Sequence, residues 1–113
     1  MVTRHVVVVR SGPGEPESAS ALGLARTMLE QGHEIAIVLI QDAVLCALAN
    51  SRLDSAGMLR ALVKGGASYP YLAGDLAMRG FVQGDVLARC QPLNEGELVD
   101  LLLGHGVLVA GAF

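Results

Sequence analysis

Apolar and polar positions follow two alternating rhythms along the chain. Residues 5–10 read HVVVVR, a β-branched run without alternation, the pattern of a strand buried on both faces. The run stops at a Ser-Gly-Pro-Gly loop, residues 11–14. Over 18–31 the period becomes helical: Ala21, Leu24, Ala25, Met28 and Leu29 share a face, and Gly32 is a natural stop. Residues 34–40, EIAIVLI, predict a second buried strand, ended by Gln41 and Asp42. Asp42 is suited to cap a helix running to Asn50. A polar break over 51–55 precedes a helix over 56–64, closed by Gly65 and Gly66. A third strand is expected over 67–72, weakened by Pro70. A short helical piece over 75–78 then ends at Gly80, and a very short fourth strand is expected over 87–91. Asn94 caps a helix over 95–103 whose first turn is acidic, where the helix dipole favours negative charge. After a turn at 104–106, a last strand is expected over 107–110.

Strands that alternate with helices from end to end predict a single α/β domain over 1–113, in three α/β/α layers around a mainly parallel five-stranded sheet. Right-handed crossovers would bring the C-terminal ends of the strands to one edge, where such sheets bind ligands. The loops expected there are 11–17, with Ser11 and Gly12, the pair Gln41-Asp42, and 74–79, with Asp75 and Arg79.

Composition narrows the function classes. Of 113 residues, 52% are apolar and 17% charged, which excludes a disordered chain. A net charge of -3 gives nucleic acid and anionic lipid no electrostatic hold. With no Trp and 4% aromatics, a base-stacking platform is poorly supplied. The apolar run near the start is too short for a signal peptide, and nothing approaches the ~18 apolar residues of a membrane span. A cytoplasmic protein is therefore expected. A mean hydropathy of +0.50 is high for so small a domain and predicts that apolar surface faces a partner subunit.

The candidate residues each carry two readings. Two cysteines make neither a disulfide framework nor a zinc site. Cys46 is either a relocated thiol near a capped helix start or a small buried hydrophobe; Cys90 is either activated by Arg89 or a buried strand residue. Asp75 and Arg79, at i and i+4, are either a polar pair flanking a pocket or an ordinary helix-surface pair. The loop at Ser11 and Gly12 offers N–H groups to an anion, but Pro13 removes a donor, Glu15 and Glu17 repel phosphate, and no P-loop motif is present. Gln41 and Asp42 are a polar pair at a strand end or a simple cap. His5, His33 and His105 are expected as solvent-exposed turn residues near the opposite edge, and neither a metal nor a cofactor is expected.

At these loops the sequence resembles the DsrE/DsrF/DsrH family of small sulfur-relay proteins, over nearly the whole chain. The resemblance rests on the opening strand with its Gly-Pro loop, the run ALGLARTMLEQGHEI, the DsrH-like segment VLIQDAV, the segment GDLAMRG with Arg79-Gly80, and the ending LNEGELVDLLLGHGVLVAGAF. It implies a cytoplasmic oligomer, a trimer or hexamer, that exchanges sulfur with a carrier-protein partner through a persulfide on a loop cysteine before Arg79-Gly80. A loop thiol beside an arginine has a depressed pKa, and the thiolate accepts sulfur. Family cysteines stand eight or five positions before that glycine; here those positions hold Leu72 and Asp75. The expectation is thus a non-catalytic or divergent member, a binding or structural subunit. The alternatives are a small-molecule or anion binder at the strand-end edge, or a sulfurtransferase with Cys46 or Cys90 as acceptor.

Overall fold

The computed structural model describes residues 4–49, 54–87, 90–104 and 107–112. Its elements are β1 (Arg4–Val9), α1 (Pro16–Glu30), β2 (Glu34–Leu39), a 3₁₀ helix (Gln41–Ala47), α2 (Asp54–Lys64), β3 (Tyr71–Leu72), α3 (Ala73–Met78), a 3₁₀ turn (Gln83–Asp85), β4 (Pro92–Leu93), α4 (Glu95–Leu102) and β5 (Val107–Ala112). The five strands form one parallel sheet in the order β4-β3-β2-β1-β5. β1 and β2 pair in unbroken register from Arg4↔Glu34 to Val9↔Leu39.

The run of valines is buried on both faces, as its lack of alternation predicts. Val7 and Val9 join Ile35, Ile37 and Leu39 in a core covered by Leu22 of α1, Leu59 of α2 and Leu76 of α3. Val6 and Val8 join Ala36 and Val38 on the other face, against Leu98, Leu101 and Leu102 of α4. These are the three layers the alternation of elements implies. Three helices cover one face and one short helix the other, because the first four strands step in one direction and only β5 returns to the far side of β1.

Several boundaries differ from the expected ones. The segment after β2 is a 3₁₀ helix of seven residues, not an α-helix capped by Asp42. Its N-cap is Ile40, and the Asp42 carboxylate goes instead to Arg79. The far end of the expected helix, at Asn50, and the polar break at 51–53 lie outside the described residues. The third strand keeps only Tyr71–Leu72, plus a single bridge from Ser68 to Ala36, since Pro70 has no N–H for the ladder. β4 lies at Pro92–Leu93 rather than 87–91, of which 88–89 lie outside the described residues. His5 and His33 are not separate turn histidines: their rings meet edge to face at 4.7 Å, and His5 Nδ1 is buried without a hydrogen-bond partner among the described residues. His105 lies outside those residues.

Candidate functional site

β2 is hydrogen-bonded to both β1 and β3, so the loops at the C-terminal ends of these three strands are neighbours. The first is the turn after β1. Ser18, fully buried on α1, places its hydroxyl 2.8 Å from the Gly12 carbonyl and 2.9 Å from that of Glu15. One hydroxyl hydrogen serves one of them at a time, and the Glu15 N–H donates to Gly12 O at 3.0 Å. The turn is thereby tied to the start of α1. A Cβ placed on Gly12 would lie 3.6 Å from Asp42 Cβ, which sets this turn directly against the loop after β2. Ser11 is half-buried beside it.

The second loop begins with Gln41, whose φ of 51° lies in the left-handed region. For a residue with a Cβ this conformation costs about 1–2 kcal/mol. The third loop offsets it: the Gln41 N–H donates to Asp75 Oδ2 at 2.6 Å. Arg79 completes the network. It donates through Nε and Nη2 to Asp42 Oδ1, at 3.0 and 2.7 Å, and through Nη1 to the Asp75 carbonyl at 2.9 Å. Arg79 keeps this position because α3 ends at Met78 and Arg79 is its C-cap. Gly80 takes φ 86°, and the Gly80 and Phe81 N–H groups return to Ala77 O and Leu76 O.

The predicted residues Ser11, Gly12, Gln41, Asp42, Asp75 and Arg79 are thus brought to one edge. The expected side-chain pair between Asp75 and Arg79 does not form: Arg79 holds the Asp75 backbone, and its ionic partner is Asp42 across the loop. Two carboxylates and one guanidinium meet here, and the guanidinium's donors are directed at protein acceptors. Such an arrangement offers carboxylate oxygens to a cationic or N–H-bearing group more readily than it offers charge to an anion.

The thiols lie elsewhere. Cys46 is on the same 3₁₀ helix as Asp42, but its side chain is fully buried in the core. Burial pushes its pKa up to about 11, against a smaller lowering by a backbone hydrogen bond. Cys90 is 6% exposed, and burial pushes it up to about 12. Its Sγ–H meets the Tyr69 carbonyl at 3.1 Å. Among the described residues no group of three or more His, Cys, Asp or Glu could hold a metal ion. Sequence reasoning missed the Gln41–Asp75 bond, and nothing in a Gln-Asp dipeptide marks a left-handed backbone.

Comparisons with known proteins agree with this architecture. The fold matches the ychN protein from E. coli, with a TM-score of 0.79 at 20% identity over 96% of this chain and 99% of that one. It also matches a protein of unknown function, MTH1491 from Methanobacterium thermoautotrophicum, with a TM-score of 0.74 at 17% identity, covering 95% and 98%. No curated protein matches the chain. The model of the DsrE/DsrF-like family matches residues 4–108, nearly the full length. By that match the chain belongs to the DsrE/DsrF-like family.

Proposed function

We propose that this protein is a non-catalytic member of its family, a binding or structural subunit in intracellular sulfur transfer that engages partners through the strand-end edge. One observation carries the reading. Asp75, which stands where the family resemblance expects a persulfide-bearing cysteine, is bonded to the Gln41 N–H at 2.6 Å in a network with Asp42 and Arg79. A carboxylate keeps negative charge at that place and cannot form a persulfide. The burial of Cys46 and Cys90, with thiol pKa values of about 11 and 12, speaks against either as a relocated acceptor, because the thiolate is the reactive form. The commitment of Arg79 to Asp42 speaks against an anion site.

The same reading includes a single domain, a cytoplasmic setting, a sulfur-carrier protein as partner, and a homo-oligomer larger than a dimer. Exposed Met78, Val82, Val99 and Leu103 support the last point, since apolar surface of this kind is covered in assemblies. Among the described residues no helix is long and apolar enough to cross a membrane.

The test is incubation of the unmodified protein with a cysteine desulfurase and cysteine, followed by intact-mass spectrometry. The mass stays unchanged. A gain of one sulfur that maps to Cys46 or Cys90 and disappears on Cys→Ser replacement would overturn the reading. Light scattering on the same preparation reports an assembly above the dimer; a dilution-stable monomer would remove the structural-subunit part.

A further inference from the structure

A second candidate site lies on the helical face, away from the strand ends. A cavity of about 510 Å³ runs between α1 and α2, within the range of small-molecule sites. Arg26, Leu29 and Glu30 line it from α1, and Gly57, Met58 and Ala61 from α2. Its floor is apolar: Leu22 is fully buried and Leu62 is 4% exposed.

Sequence explains why the helices leave this gap. At one end they are in contact, since a Cβ on Gly65 would lie 2.9 Å from Leu29 Cδ2. Further back, α2 presents Gly57 and Ala61, one helical turn apart, where a larger residue would close the groove. A Cβ on Gly57 would meet nothing nearer than Arg60 Nη2 at 4.0 Å, so steric crowding does not demand the glycine. A glycine inside a helix also destabilises it relative to alanine. Met58, unbranched and adaptable, forms the wall that adjusts to an occupant.

One cation stands at the rim. Arg26 meets Glu30 through Nε at 3.0 Å, in an exposed i,i+4 pair of the kind that contributes little. The described residues give its two Nη groups no acceptor, so the forked donors that suit a carboxylate stay available.

We propose that the α1–α2 groove binds a small aliphatic monocarboxylate, with its chain between Leu22, Leu29 and Met58 and its head group on the Nη donors of Arg26. This site is independent of the strand-end edge. Decanoate and uncharged 1-decanol, titrated below their aggregation limits, separate the head-group contribution from the chain contribution. Amide NMR shifts on the full chain report the position, and calorimetry reports affinity. Decanoate shifts the amides of α1 and α2 and leaves those around Asp75 unmoved. Arg26→Gln weakens decanoate by about tenfold, the loss of one charge-assisted hydrogen bond, and leaves decanol unchanged. Glu30→Gln strengthens decanoate. Ala61→Phe, on an exposed position, fills the groove and abolishes both without altering the circular dichroism. The proposal is overturned if neither compound moves α1 or α2, if Ala61→Phe leaves binding intact, or if Arg26→Gln affects both compounds equally. It is also overturned if Ala61→Phe lowers the mass by light scattering, which would make a second copy of the chain the occupant.

Discussion

Asp42 and Cys46 lie on one 3₁₀ helix and belong to two different regions. Asp42, its side chain 66% exposed, is tied to Arg79 at the strand-end edge. Cys46 points into the core behind it and is fully buried, as is nearly all of Cys90. At the edge, where a nucleophile would meet a partner, stand carboxylates already bonded to protein donors. In the core, buried from solvent, stand the two thiols. Reactivity needs both a suitable atom and access, and this chain has separated the two. The proposed non-catalytic role rests on this division.

Alkaline titration probes the core side and has the largest expected effect on stability. The folded state raises the pKa of Cys46 from 9.0 to about 11 and that of Cys90 from 9.0 to about 12. The neutral thiol is therefore the form that folding favours. Stability is undiminished below the ordinary thiol value and falls as pH rises through the window above it, where the unfolded chain ionises first. The slope reaches about 1.4 kcal/mol per pH unit for each thiol. Tyr71, also raised by burial and then by Cys90, adds to it. Denaturant unfolding from pH 8 to pH 11 should show this decline, and Cys46→Ala should make it shallower, leaving the part due to Cys90 and Tyr71. A flat profile would mean that the thiols are open to water.

The edge is probed by two double-mutant cycles. Arg79–Asp42 should couple by about 1 kcal/mol, the upper end for partly exposed pairs, because the guanidinium is also anchored on the Asp75 carbonyl. Arg4–Glu34, at 2.9 Å with both side chains near half-exposed at the opposite edge, should couple by about 0.5 kcal/mol or less. Equal coupling would reduce the strand-end network to ordinary surface pairing.

The smallest effect sharpens the same point. Gln41→Gly removes the left-handed strain but adds chain entropy to the unfolded state, so it should stabilise the protein by about 0.5 kcal/mol. A loss of stability in equilibrium unfolding would show that the Gln41 side chain contributes contacts worth more than the strain.

The sheet was legible in the sequence because its evidence is local. HVVVVR and EIAIVLI read as strands covered on both faces, and residues 6–9 and 35–39 within them are buried strand. The edge residues were legible as a set, since strand-helix alternation fixes which loops meet. Their partners were not. The pairing of Arg79 with Asp42 rather than Asp75 depends on where α3 stops and how β2 turns, and Gln41 gives no signal of its left-handed backbone. The 3₁₀ segment read as an α-helix because Asp42 looks like a cap in sequence, whereas tertiary contact turned its carboxylate toward Arg79. The contact of His5 with His33 follows from a register that neither segment specifies alone.

The central claim is that the edge has lost its acceptor and kept its scaffold, so restoring a thiol there is the most direct test. Asp75→Cys and the unmodified chain are treated side by side with a cysteine desulfurase and cysteine, and sulfur is mapped by peptide mass spectrometry. The account predicts sulfur at residue 75 of the variant, where the Gln41 N–H that now donates to Asp75 Oδ2 is placed to donate to a thiolate, and none on the unmodified chain. Sulfur on Cys46 or Cys90 of either protein, or an unloaded variant that is correctly folded, would contradict it.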